Sequence, residues 1–270
     1  RCLKKINYGP QKLLFVYGAK EHLIKNGFKA VDRYYLNIDG EPYALVNEDL
    51  YTLSEWLYGR ECDFHNIEEV KIAAATLAKM HEASKGYDPP ENSKLKSDLG
   101  RWPSLMEKRI KSLDKMRDMI RKKGNKSNFD LLYLKSMEFY KEMGKKALKT
   151  LNESEYYNLC EIAEREKGFC HHDYTYHNII LTEDNKVNII DFDYCKLGIK
   201  VLDIYNYIVK VIKNIYYTRL TFHLLCKYVY FFYVCVDLSS HGFRNFCPCI
   251  FCLIIKFCHN RKVHYNHCYS

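Results

Sequence analysis

Apolar residues along this chain change period several times, and each change predicts an element. Residues 2–8 and 12–17 are short and mostly apolar. Either suits a strand, and the second also suits the start of a helix. AKEHLIKNGF (19–28) has helical spacing, and Gly27 marks its end. RYYLNIDGEPYALVN (33–47) reads as two strands around an Asp39–Gly40 turn. LYTLSEWLYG (50–59) returns to helical spacing and stops at Gly59. The strongest helix is predicted over 68–84, with Val70, Ala73, Ala74, Leu77, Ala78 and His81 on one face. Residues 86–103 hold Gly86, Pro89, Pro90, Gly100 and Pro103 and read as a loop. Met106, Ile110, Leu113, Met116 and Ile120 recur at helical steps, 122–128 break the pattern, and a second helix runs from about Phe129 to Leu151. NIIL and VNII are short strands around the tight turn EDNK, a second hairpin inserted at 179–190. The order predicts an α+β chain, a small sheet lobe followed by a larger helical lobe.

Charge adds little to this picture. The 270 residues carry a formal net charge of +9, but residues 214–270 hold six Lys or Arg against one acid. The basic balance is partly a property of the tail, so a nucleic-acid partner is not expected. Lysines cover the outer faces of the two long helices. They suit a solvated surface, or a basic wall attracting an anionic partner. No basic-then-apolar signal segment opens the chain. Cys2, Cys62, Cys160, Cys170 and Cys195 are scattered, as expected of reduced thiols in a protein made in the cytoplasm.

The stretch HHDYTYHNIILTEDNKVNIIDFD (171–193) carries the chemistry. It reads His171-x-Asp173-x-x-x-x-Asn178, then a hairpin, then Asp191. A two-stranded hairpin brings its ends together, so Asn178 and Asp191 should lie side by side, with Asp173 in the loop leading in. Phosphoryl transfer from ATP needs Mg²⁺ held by hard oxygen ligands and a carboxylate aimed at the attacking hydroxyl. Asn178 and Asp191 suit the metal and Asp173 suits the base, at the spacing of a kinase catalytic loop. His171 suits a scaffold role, its ring held by backbone groups. His172 and His177 flank the motif and suit surface positions better than metal ligation.

The H-x-D-x-x-x-x-N and I-I-D-F-D arrangement resembles the aminoglycoside phosphotransferase and choline kinase superfamily, which has a protein-kinase-like fold. LAKMH (77–81) is similar to a helix of that group. EHLIKNGF (21–28), the Asp-Gly hairpin and YTLSEWLYGRECDFHN (51–66) look like one branch, the CotS family of bacterial spore-coat proteins. The likeness covers roughly residues 1–213. It implies a bilobal fold with a truncated sheet lobe over 1–50 and a helical lobe over 51–213. The chain is expected to begin after the glycine-rich phosphate loop. A nucleotide cleft is implied between the lobes, with Asn47, Glu48, Asp49 and Leu50 near the hinge. Lys4 is the best match to the lysine that holds the nucleotide phosphates, with Arg1 or a residue upstream as alternatives. Glu21 is a guess for its partner. Asp203 matches the aspartate that ties down the catalytic loop.

Residues 214–270 depart from all of this. They contain no Ala, Glu, Gln, Met or Trp, but seven Cys, five His and fourteen aromatics. An out-of-frame translation starting near Asn214 accounts for that composition. Two functional readings compete with it: zinc held by the CPCIFC run with Cys258, His259, His264, His267 and Cys268, or a bilayer span over 220–238, which His223, Lys227 and Asp237 interrupt.

The sequence therefore predicts a kinase-like spore-coat protein that passes the terminal phosphoryl group of ATP to an unidentified hydroxyl acceptor. One alternative makes the acceptor a small amino alcohol, aminoglycoside or sugar. Another makes the chain a non-catalytic coat-assembly protein whose partners are other coat proteins. No membrane partner is expected.

Overall fold

The computed structural model describes residues 1–94, 97–184 and 186–215. The readings of the tail beyond residue 215 lie outside them. In chain order the elements are β1 (Cys2–Ile6), α1 (Pro10–Lys25), β2 (Ala44–Val46), β3 (Asp49–Ser54), β4 (Arg60–Glu61), α2 (Ile67–Ala83), α3 (Trp102–Arg121), α4 (Asn128–Asn152), α5 (Tyr156–Glu166), β5 (Phe169–Cys170), β6 (Ile179–Leu181), β7 (Val187–Ile189), β8 (Lys196–Leu197) and α6 (Val201–Ile215). No helix among the described residues is long and apolar enough to cross a membrane.

The first apolar run forms β1, and the second runs into α1. Pro10 opens that helix, where its missing N–H costs nothing. Gly27, at φ +84°, closes it: Phe28 N–H reaches Leu23 O at 2.9 Å and Gly27 N–H reaches Ile24 O at 3.1 Å. This is the left-handed cap that glycine makes at no steric cost.

The segment 50–59 is not a helix. It holds β3, the centre of an antiparallel sheet in the order β1-β3-β2. Leu50, Thr52 and Ser54 are buried while the residues between them are half-exposed, the period of two that a half-buried strand requires. The sheet lobe thus extends past residue 50, through Ser54.

The Asp39–Gly40 turn forms, with Gly40 at φ +80° and Asn37 Oδ1 accepting from the N–H of Asp39 and Glu41. Beyond the tip, where Asn37 N–H reaches Glu41 O at 2.8 Å, no strand ladder joins its two arms among the described residues. Tyr34 bridges to Ser54, and Tyr35 N–H reaches Leu53 O at 2.8 Å. Both arms need hydrogen bonds, and β3 supplies them. The hairpin proper joins β2 to β3 through Asn47 and Glu48, both left-handed at φ 50° and 67°. Asn47, Glu48, Asp49 and Leu50 therefore form a hairpin tip and strand start, not a hinge. The chain passes from β3 to the second sheet through residues 55–59. There Gly59 lies so close to β6 that a Cβ would stand 2.4 Å from Leu181 O.

The second sheet runs β4-β6-β7, and a small third pairs β5 with β8. The main core joins Phe15, Val16, Ala19 and Leu23 of α1 to Val70, Ala73, Leu77 and Met80 of α2, with Ile179, Leu181, Ile189 and Phe192 of the hairpin region. Ala74 and Ala78 sit half-buried at its margin. Leu13 of α1 faces the sheet lobe instead, against Ile6, Tyr34 and Leu50. One helix thus belongs to both lobes. Helices α3 and α4 pack on each other, and Ser127 and Asp130 cap the start of α4 reciprocally.

A two-residue turn with both φ values positive favours Asn-Gly. Glu48→Gly should raise the unfolding free energy by about 1 kcal/mol, since glycine escapes the left-handed penalty. Urea denaturation measures this. A loss of stability would show that the turn is not of this type, and altered nucleotide binding would return these residues to the cleft.

Candidate active site

The site is built on the loop that leaves β5. His171, His172 and Asp173 turn away from the strand over one buried carboxylate. Asp203, in the first turn of α6, accepts the backbone N–H of His171 at 2.6 Å and of His172 at 2.7 Å. His81 Nε2, from α2, lies 3.0 Å from the same carboxylate. Burial opposes a charge on Asp203, but the His81 contact and the surrounding histidines hold its pKa down at about 2. His172 takes a left-handed backbone at φ 66° to make this turn. Burial pushes its ring down to about 4, and its Nε2 is buried without a partner.

The His171 ring is fixed at both nitrogens. Nε2 lies 3.0 Å from Ile190 O, and Nδ1 accepts Asp173 N–H at 3.2 Å. A carbonyl only accepts and an N–H only donates, so the ring is neutral with its proton on Nε2. Burial holds it below its ordinary pKa. The ring thereby ties the loop to the end of β7, and it packs on Phe192 at 4.6 Å.

Register brings the two halves of the motif together. Ile179 pairs with Ile189, and Ile190 N–H reaches Asn178 O at 3.0 Å. Asn178 and Asp191 thus flank one end of the hairpin. Asn178 Nδ2 donates to Asp173 O at 2.9 Å and to Asp173 Oδ2 at 3.2 Å. With both amide hydrogens directed at Asp173, the oxygen Oδ1 is what Asn178 can offer a cation. Asp191 sits at φ 62°, ψ 63°, a left-handed conformation that a short acid tolerates but that still stores strain. Asp203 is the brace under the loop rather than a member of the open site.

Lys4 arrives from the other lobe. Its Nζ lies 3.0 Å from Asp191 Oδ1 and 3.0 Å from Asp193 Oδ2. Burial works against its charge, but hydrogen bonds to Asp193 and Asp191 push its pKa above the ordinary value. Tyr8 OH donates to the other oxygen of Asp193 at 2.6 Å. Glu21 is not the partner of Lys4: it makes a two-pronged contact with Arg33, at 2.9 and 2.7 Å. Arg1 lies over the Tyr35 ring instead, 5.1 Å from its centre. Inside α1, Lys20 is buried 2.9 Å from Asp32 Oδ1, and its ammonium lies over the rings of Tyr34 and Phe192.

Two carboxylates share one ammonium here, so the cluster keeps a net negative charge. All the donors offered are hard oxygens, Asn178 Oδ1 with the carboxylates of Asp191 and Asp193. That set fits Mg²⁺, which prefers oxygen ligands and substrate phosphates. His177 plays no part in it, being exposed beside Glu61 at 3.0 Å. A buried group of His81, Cys170 and Asp203 is also compact, but both Asp203 oxygens are taken by donors and Cys170 Sγ donates to Gly198 O. That group is structural.

Three contacts involve residues that carried no expected role. Asp193 and Tyr8 complete the surroundings of Lys4, and Lys210 of α6 lies 2.7 Å from Asp173 Oδ1. A signal for Lys210 existed: it stands seven residues after Asp203, two helical turns, and so on the same side of α6.

The fold is a protein-kinase-like architecture. It is similar to a crystal structure of aminoglycoside phosphotransferase from Alicyclobacillus acidocaldarius, with TM-score 0.65 and 22% identity over 87% of this chain and 67% of that one. It is also similar to AMP-bound spectinomycin phosphotransferase, with TM-score 0.56 and 13% identity over 88% and 79% of the two chains. An amicoumacin kinase in complex with AMP-PNP and Ca²⁺ matches with TM-score 0.54 and 12% identity over 89% and 66%. Within that architecture the chain belongs to the family described as "Spore coat putative kinase YutH", whose model matches residues 4–195. Spore coat protein S of Bacillus subtilis is 26% identical over 175 residues, 65% of this chain. The match spans 49% of that relative, about half its length.

The depressed histidines give the fold a pH dependence. Unfolded His172 binds a proton below about 6.5, whereas in the fold it does so only below about 4. Its neutral form is the one folded, so its contribution is complete above pH 6.5 and is lost as pH falls toward 4. Asp203 acts lower, its contribution fading only from 3.8 toward about 2. Between pH 7.5 and 5, unfolding free energy should drop by about 2 kcal/mol on account of His172. His172→Asn, which tolerates the left-handed backbone, should remove that part of the slope. Equal slopes in urea titrations of the two proteins would refute the assignment.

Proposed function

We propose that this chain is an ATP-dependent phosphotransferase of the spore coat that transfers the terminal phosphoryl group to a hydroxyl acceptor. The observation that carries the reading is the convergence of Asp173, Asn178 and Asp191 at one end of a hairpin, with Lys4 crossing from the sheet lobe to Asp191 and Asp193. In this reading Asn178 and Asp191 hold Mg²⁺, which when bound neutralises phosphate charge. Lys4 draws the nucleotide phosphates to the cleft. Asp173 orients the acceptor hydroxyl and takes its proton. The acceptor oxygen bonds to the terminal phosphorus as the bridging oxygen departs with ADP. His171 and Asp203 hold the loop that carries Asp173, so the geometry is set before substrate arrives. The family relationship supports a place in the spore coat, and the nucleotide-bound neighbours support ATP as donor.

Binding and chemistry separate in two variants. ATP with Mg²⁺ should raise the melting temperature by binding linkage. Asp191→Ala should abolish that rise. Asp173→Asn should keep it while lowering turnover roughly 10²–10⁴-fold, the usual contribution of a general base. An undiminished thermal shift in Asp191→Ala would remove that residue from the metal site. Wild-type turnover in Asp173→Asn would remove the base.

A further inference from the structure

The acceptor side of the site carries a positive charge of its own. Lys210 Nζ lies 2.7 Å from Asp173 Oδ1, and Asn178 Nδ2 occupies Asp173 Oδ2 at 3.2 Å. The carboxylate that meets the acceptor hydroxyl is thus already paired on both oxygens. The Lys210 side chain is 29% exposed, open enough to touch a ligand. Helix α6 offers no second acid on this side: its acidic residue is Asp203, fully buried and bonded beneath the loop. The other acid touching the loop, Glu61 on β4, is paired with His177. The long helices of the same lobe are basic, with six Lys or Arg against three acids in α3 and five lysines against three acids in α4.

We infer that Lys210 selects the acceptor: the hydroxyl compound that meets Asp173 is anionic, and amino-bearing acceptors are disfavoured. This rests on the phosphotransferase reading and deepens it. Among the described residues, the acids that touch Lys210 or the loop are already paired, so a cationic acceptor must bring its charge beside the Lys210 ammonium, and like charges brought together oppose binding. An anionic acceptor finds the remaining N–H donors of the same ammonium while its hydroxyl lies on Asp173. Lys210 also holds the Asp173 carboxylate in place.

The test uses three sugars with nearly the same hydroxyls and different charge: glucuronate, glucose and glucosamine. Each is titrated calorimetrically into the protein saturated with AMP-PNP and Mg²⁺, and each is offered with ATP while ADP release is followed. The proteins are the wild type and the Lys210→Arg, Lys210→Met and Lys210→Glu variants, with folding checked by thermal melting. Wild type and Lys210→Arg should favour glucuronate over glucosamine by at least about tenfold. Lys210→Met should level the two. Lys210→Glu should reverse the order, moving the ratio roughly 10²-fold from wild type, as several kcal/mol of like-charge opposition implies. A wild-type preference for glucosamine overturns the proposal. So does a preference indifferent to residue 210, or silence from all three sugars in a protein that AMP-PNP still stabilises. Failure of the nucleotide and Mg²⁺ to stabilise the protein at all is the separate signature that the phosphotransferase reading itself is wrong.

Discussion

The site depends on the carboxylate of Asp203. It is fully buried, yet it takes donors from two other parts of the chain: the His81 ring on α2 and two consecutive backbone N–H groups of the loop after β5. A buried charge is tolerated only where its hydrogen bonds are complete, so the loop cannot drift without stranding it. The loop makes an unfavourable left-handed turn at His172 because Asp203 holds the two amides that lead into that turn. From there the order propagates outward. His171, locked between Asp173 N–H and Ile190 O, carries the position of the loop to the hairpin. Asn178 then fixes Asp173 from the opposite side.

The second constraint is the sharing of α1 between lobes. Its face toward α2 and the hairpin holds Phe15, Val16, Ala19 and Leu23, while Leu13 packs under the sheet. The strand that carries Lys4 therefore rests on a helix anchored in the other lobe. The buried Lys20 adds a polar contact along the same helix, to Asp32 and over Phe192, the neighbour of Asp191. The sheet lobe is positioned by this packing as well as by the linker at 55–59.

Much of this was legible in the sequence because the motif residues act through short-range geometry. Asp173, Asn178 and Asp191 lie within nineteen residues, and a hairpin with a tight turn has few ways to fold. The helix at 68–84 was legible because its alanine-rich composition and the spacing of its apolar face agree. The segment 50–59 was misread because Leu50, Leu53 and Leu57 match a helical step, whereas β1 and β2, both distant in sequence, claim its backbone for a sheet. Pairing of that kind leaves no trace in local spacing. Misplacing β3 also displaced the hinge, which carried the nucleotide assignment of Asn47–Leu50 with it. Glu21 failed for a different reason: its partner, Arg33, comes from the loop after α1, and charge complementarity alone cannot choose between two nearby cations. Lys210 was hidden among many lysines and became meaningful only once α6 was docked by Asp203.

The contact of Lys4 with Asp191 and Asp193 has a mechanical side. It is a bond between the lobes made by the same groups that a divalent ion would occupy. On the function proposed above, filling the cleft would be an exchange, one counter-charge leaving as another enters, rather than an addition to an empty space. A lysine displaced from these acids would remain tethered to β1. On the function proposed above, one latch would serve two purposes: it balances the two acids across the lobes, and it would hand its cation to the nucleotide phosphates once an ion took its place.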